Sequence, residues 1–430
     1  MRLSKKVLLV SLALVLVAGM VFAGGGKDAP AAAKGGDAPL EVWSFTDELE
    51  GMINNYYLKD FPNKKINYSL TPTEQFPNKL DPVLASGSGA PDVFALEDAF
   101  VRKYIESGLL LDLTDVYNEV KDKVQQYPVQ VGTYNGKVYG LSWQVTPGAM
   151  FYRRSLAKKY LGTDDPAEVQ KYFTDLNKFL DTAELLKTKS DGKCVVVSAI
   201  DDLQFPYLYG RKDPWVVNDK LVVDPKMVEY MQMAKTLKDK GFEGRASQWG
   251  EGWFAGMNGT LKDERGNAVE VFSYFLPTWG LHYVLKTNAP ETSGDWAMIA
   301  GPISYRWGGT WIGAYKGTKN PEAAKELIKY IATDDDFLTR YALDSGDVVS
   351  NINVTNTVKD TFSEPFLGGQ NHYAQFVEMA KNVDGRLSQA TDDVIQGIFG
   401  EAVTAYVNGE KSLDAALADF KQQVNSQLGF

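Results

Sequence analysis

The sequence predicts an α/β protein of two lobes, each a mainly parallel sheet flanked by helices. Three observations carry this reading. At 430 residues the chain exceeds what one hydrophobic core usually holds. Its first part alternates short β-rich runs with helical periodicity, the pattern of a parallel sheet. The stretch 308–333 repeats that unit far downstream as strand, turn and helix.

The first strand is Leu40-Glu-Val-Trp-Ser-Phe, and Leu49, Met52, Ile53 and Tyr56 then recur at helical spacing up to Phe61-Pro62. Lys65–Leu70 and Pro91–Leu96 read as the second and third strands, each followed by a helical pattern. Asn135-Gly136 predicts a tight hairpin, because both positions tolerate positive φ. After Pro147 the chain resumes with Ala149-Met-Phe-Tyr and a helix from Arg154, read as entry into the second lobe.

Cys194–Ile200 is a further buried strand, and Asp224-Pro225 opens a helix that Gly241 closes. Residues 245–302 are the least regular part, with Trp249, Trp253, Trp279 and Trp296 among glycines. In 308–333, Thr310–Tyr315 is the strand, and Asn320 and Pro321 stand at the cap and first position of the helix. Ala324, Leu327, Ile328 and Ile331 form its apolar face. Thr333-Asp-Asp-Asp begins another capped helix, and two amphipathic helices, around Ile395–Ala402 and Leu413–Phe420, fill the C-terminal part.

The N-terminal residues carry Arg2, Lys5 and Lys6 before an apolar run, Val7–Val17, and Val21 and Ala23 suit an export cleavage site. We therefore expect a signal peptide over 1–23 and a flexible Gly/Ala/Pro-rich leader over 24–37. The sole cysteine, Cys194, leaves no disulfide and no lipid-bearing residue at the cleavage point, so an exported form retained in a periplasm is expected. Losing 1–23 removes three positive charges and takes the net charge from −10 to −13. That charge argues against nucleic-acid and anionic-membrane partners.

Catalytic and cofactor signals are sparse. His282 and His372 stand apart, with no metal-ligand spacing, and there is no nucleophile elbow, phosphate-binding loop or dinucleotide fingerprint. We expect no cofactor, no metal and no enzyme activity. A two-carboxylate glycosidase stays open, since acidic pairs abound.

Trp311-Ile-Gly-Ala followed by Lys316-Gly-Thr-Lys-Asn-Pro-Glu-Ala-Ala-Lys-Glu-Leu-Ile-Lys-Tyr-Ile331 resembles the crossover segment of the extracellular solute-binding proteins of bacterial ABC importers. The resemblance runs along most of the chain after the leader and is nearest the carbohydrate branch, which includes maltose-binding proteins. It implies a type II-like two-lobed fold with the ligand cleft between lobes and a chain that crosses more than once. On that basis lobe 1 is 38–146 plus 308–360 and lobe 2 is 147–307 plus 361–430. It also implies a monomer that binds a sugar and docks on importer permease subunits.

In such sheets ligands collect beyond the carboxyl ends of the strands. Thr46, Asp47 and Glu48 follow the first strand and Glu97 and Asp98 the third. A carboxylate there can accept two hydroxyl hydrogen bonds, although Thr46 and Asp47 could equally cap a helix. Sugar rings also present apolar faces that suit flat aromatic walls. The family pattern suggests Trp143 with its neighbour Gln144, Trp279 and Trp307 as platforms, and Trp249 and Trp253 as secondary ones. An exported carbohydrate-active enzyme, a binder of another solute and a sensory binding subunit are the alternatives.

Overall fold

A computed structural model describes residues 38–429; the expected signal peptide and leader, 1–37, lie outside the described residues. The chain forms two five-stranded sheets with helices packed on them. Ten strands build these sheets: β1 (Leu40–Ser44), β2 (Ile66–Leu70), β3 (Val93–Glu97), β4 (Leu141–Ser142), β5 (Pro147–Arg153), β6 (Cys194–Val197), β7 (Glu270–Pro277), β8 (Trp296–Ile299), β9 (Tyr305–Arg306) and β10 (Thr310–Ala314). The first sheet runs β2-β1-β3-β10-β4, and the second β8-β5-β7-β6 with β9 also on β5.

The sheets are mixed, not mainly parallel as expected. In the first, β1 pairs parallel with β2 and β3, but β10 runs antiparallel to both β3 and β4. In the second only β6 and β7 are parallel. The reason is the end from which each crossing strand enters. A parallel pair needs a long return connection, whereas Gly308 and Gly309 deliver β10 directly to the carboxyl end of β3, where Thr310 pairs with Glu97. From there it can only run backwards along β3. Likewise, β4 leads through 143–146 straight into β5, which leaves from the end at which β7 arrives.

Three segments therefore link the sheets side by side. Trp307 N–H donates to the Thr146 carbonyl at 3.1 Å, Val145 N–H to Val348 at 2.9 Å, and Ser350 N–H to Trp143 at 2.7 Å. Thr146 Oγ1 adds a bond to the Gly308 carbonyl at 2.8 Å, and Thr278 Oγ1 one to the Val145 carbonyl at 3.0 Å. These backbone ties satisfy polar groups that would otherwise be stranded in a buried crossing.

Local sequence explains most elements. Asn135 and Gly136 both take positive φ in the hairpin joining Thr133–Tyr134 to Lys137–Val138. Helix Pro321–Thr333 buries Ala324, Leu327, Ile328 and Ile331 against the first sheet. Asn320 occupies its N-cap position, but its side chain does not cap; its amide group donates to Asp92 instead. Asp334 does cap the next helix, Asp335–Ser345, accepting from Phe337 N–H at 2.8 Å. Helix His372–Ala380 packs on β5, and helix Asp392–Val407 on helix Pro225–Lys240. Both belong with the second sheet.

Candidate functional site

At the carboxyl ends of the strands lies a cleft of about 660 Å³, bounded by residues from both sheets. Each strand end contributes locally. Phe45, Thr46 and Glu48 follow β1, Thr73 and Glu74 follow β2, and Glu97 ends β3. Gln144 follows β4, Gln204 and Phe205 open the helix after β6, Trp279 and Tyr283 follow β7, and Trp307–Thr310 link β9 to β10. Gln248 and Trp249 complete the lining from the loop before helix Glu251–Met257.

The aromatic wall is a set of interlocked rings. Trp279 and Trp307 meet nearly edge-on at 5.2 Å, Trp307 stacks on Phe205 at 4.5 Å, and Trp249 lies parallel to Trp279 at 6.2 Å. Trp249 is 54% exposed and holds φ +67, a conformation rare for a bulky residue. Strain of that kind persists where surrounding structure fixes it, often beside a ligand. Trp253 fixes it here, packing under Trp249 at 5.4 Å while its indole N–H donates to Asp202 at 3.0 Å.

The polar floor is acidic. Burial lifts the Glu48 carboxyl to about 7 against the opposing hydrogen bond from Tyr341. Burial, reinforced by the charge of Asp98, lifts Glu97 to about 8. Glu97 also caps helix Asp98–Glu106 through a bond from Ala99 N–H at 2.6 Å, and Thr46 Oγ1 caps helix Asp47–Met52 through Glu48 N–H at 3.2 Å. Capping and cleft lining thus coexist in one residue. Gln144 is 3% exposed and its Oε1 has no hydrogen-bond partner among the described residues.

Of the expected site residues, Thr46, Glu48, Glu97, Gln144, Trp249, Trp279 and Trp307 line the cleft, and four do not. Asp47 is exposed at the first helical position, where it complements the helix N-terminus. Asp98 is spent: Arg306 Nη1 donates to its Oδ1 at 2.7 Å and Tyr209 OH to its Oδ2 at 2.6 Å. Trp143 is fully buried in the first crossing, and Trp253 is fully buried beneath Trp249. Phe45, Thr73, Glu74, Gln204, Phe205, Gln248 and Tyr283 were not anticipated. The strand-end rule applied to the second strand would have found Thr73 and Glu74.

Among the described residues no group of three or more His, Cys, Asp or Glu is placed to hold a metal ion, and none of their helices is long and apolar enough to cross a membrane. His372 is buried and His282 partly so, and desolvation holds them down to about 4 and about 3, so both are neutral at physiological pH. What the arrangement can do is bind: stack flat faces on indoles and accept hydrogen bonds at the floor.

Comparison with known proteins agrees. The chain is 28% identical over 166 residues to the arabinooligosaccharide-binding protein of Bacillus subtilis (strain 168), an alignment spanning 36% of this chain and 37% of that relative. It is 21% identical to the lactose-binding protein of Rhizobium radiobacter over 81% of this chain and 82% of that one. A crystal structure of an extracellular solute-binding protein of family 1 superposes with a TM-score of 0.77 at 20% identity, covering 90% of this chain and 99% of the other, which establishes the shared fold. The family model for bacterial extracellular solute-binding proteins matches residues 43–336, more than half of the chain, and the chain belongs to that family.

Proposed function

We propose that this protein captures a mono- or oligosaccharide between two lobes, 38–146 with 308–360 and 147–307 with 361–430, and delivers it to an ABC importer. The observation that carries the reading is the cleft itself: three tryptophans, Trp249, Trp279 and Trp307, face acceptor groups on Glu48, Glu97 and Gln144. Indoles match the apolar faces of pyranose rings and the acceptors match their hydroxyls. The named sugar binders among its relatives support this class of ligand.

No covalent step is involved. Ligand contacts from both lobes stabilise the closed arrangement, and the three adjacent crossings are the segments about which closure turns. Permease subunits in the inner membrane recognise that closed form, and the protein reaches the periplasm as a monomer after cleavage near Ala23.

A thermal-shift panel of mono-, di- and trisaccharides tests the reading. A cognate sugar at 100 times its dissociation constant adds roughly 2.7 kcal/mol of stability. Stabilisation by at least one sugar, with the sugar recovered chemically intact, is the expected result. Failure of every sugar, or stabilisation only by a non-carbohydrate solute, removes the reading, and release of shorter glycans would favour the enzyme instead.

A further inference from the structure

The charges around the cleft are one-sided. Glu48, Glu74 and Glu97 line it, and no Lys, Arg or His does so among the described residues. The buried arginine near the floor, Arg306, does not line the cleft, and it already gives one amino group to Asp98 at 2.7 Å and the other to Ser388 at 2.5 Å. Near Glu48 a second carboxylate, Asp347, is 1% exposed, and its Oδ2 has no partner among the described residues. The lining donors are all neutral: amides of Gln144, Gln204 and Gln248, hydroxyls of Thr46, Thr73, Thr310 and Tyr283. Trp279 contributes no donor, its N–H being engaged by the Trp307 carbonyl.

An independent feature shows what the site awaits. Gln144, buried and facing the cleft, has an Oε1 with no donor to satisfy it, and a buried unmet acceptor costs free energy until one arrives. The cleft thus has neutral donors and an unmet acceptor but no cation. A sugar hydroxyl supplies the missing donor. A carboxylate, sulfate or phosphate on the sugar supplies more acceptors and more negative charge, with no cation to meet them.

We propose that the cleft is a charge filter which admits uncharged glycans and rejects glycans bearing a carboxylate, phosphate or sulfate, with Glu48, Glu74 and Glu97 as the specificity-determining residues. This rests on the carbohydrate reading above. Burial holds protons on Glu48 and Glu97 up to about 7 and about 8, so the like-charge repulsion is complete only above that range, where it costs several kcal/mol and is large enough to measure.

The test compares two ligands of one shape. A uronamide of the sugar found in the thermal-shift panel, made at a position where the amide still binds, is set against the uronate at that same position by isothermal titration. At pH 9, where Glu48 and Glu97 are both ionised, the uronate should bind at least about 30-fold more weakly, and Glu97→Gln should narrow that gap about tenfold by improving uronate binding. Glu74→Gln, at an exposed rim position where a folding defect is not expected, should narrow it as well. Equal affinity of uronate and uronamide for the wild-type protein, or a gap unchanged in both variants, overturns the filter and leaves the carbohydrate reading standing. Absence of binding by every neutral sugar overturns both.

Discussion

Trp279 donates its indole N–H to the backbone carbonyl of Trp307 at 3.0 Å, so the ring after β7 is pinned to the crossing that returns the chain to the first sheet. The proposed binding platform is thereby fastened to a segment that would flex if the proposed lobes close. The same bond sets the angle between the two rings, which meet at 68°. One ring can then serve as wall while the other presents an edge.

Trp279→Ala removes both the stacking surface and the pin. Truncating a well-packed aromatic contact costs about 2 kcal/mol or more of binding, and Trp307→Ala should lose a comparable amount. Trp279→Phe keeps a flat face but loses the bond, which contributes about 1 kcal/mol to stability. Calorimetric titration separates them: the alanine variants lose affinity strongly, and the phenylalanine variant mostly loses melting temperature. Binding by Trp279→Ala at wild-type strength would place the sugar elsewhere.

Gly308 is needed in the crossing for two reasons. Its φ is +66, and a Cβ placed on it would lie 3.0 Å from the Trp279 indole nitrogen. Left-handed backbone costs a residue with a Cβ about 1–2 kcal/mol, to which displacement of Trp279 is added. Gly308→Ala should therefore lower both stability in denaturant titration and sugar affinity. Gly136→Ala, with φ +75 but open space around it, should cost stability alone.

The acidic floor predicts how stability varies with pH. Glu48 and Glu97 move from an ordinary 4.5 to about 7 and about 8, chiefly through burial. Raised values mean that the folded protein holds protons which the unfolded chain has released, so the unfolding free energy falls as pH rises. Their favourable contribution is complete below 4.5 and is lost progressively as pH passes through 7 and 8. Asp202, lifted to about 8 by burial and by neighbouring Asp201, acts in the same direction. Urea unfolding between pH 5 and 9 should show this decline, and Glu48→Gln and Glu97→Gln should each flatten part of it. A stability that does not fall across that range, with both variants unchanged from wild type in slope, would mean these carboxyls are ionised throughout.

What could be read from sequence was local. The strand-turn-helix at 310–333 declares itself through Trp311, Ile312 and the four-residue apolar face beginning at Ala324, because both periodicities are set by near neighbours. Thr46, Glu48 and Glu97 were legible for a similar reason: each stands at or within four residues of the carboxyl end of a strand. Strand direction was not, since β10 runs backwards only because Gly308 and Gly309 deliver it at the far end of β3. Nor could sequence separate Trp249 from Trp253, four residues apart, one exposed on the cleft and the other buried beneath it. Burial of a ring is decided by what packs over it, and here that includes Tyr274 from β7.

Asp98 shows the same limit and yields a test. It directly follows Glu97 at the carboxyl end of β3, so position alone offers it to a ligand. Its partner Arg306 stands 208 residues away, and their side chains are 6% and 0% exposed. The guanidinium also lies over the Tyr209 ring at 4.1 Å, and Tyr209 OH completes the carboxylate's bonding. Removing one member of a buried pair strands the other, typically at about 3–5 kcal/mol, whereas replacing both by apolar residues of similar volume is often nearly neutral. Asp98→Asn should therefore be strongly destabilised, and the double variant Asp98→Leu with Arg306→Met should recover most of the loss. Measured at a temperature where it remains folded, Asp98→Asn should bind sugar within a few-fold of wild type, since neither carboxylate oxygen is free. A variant that keeps its melting temperature but loses binding would return Asp98 to the ligand.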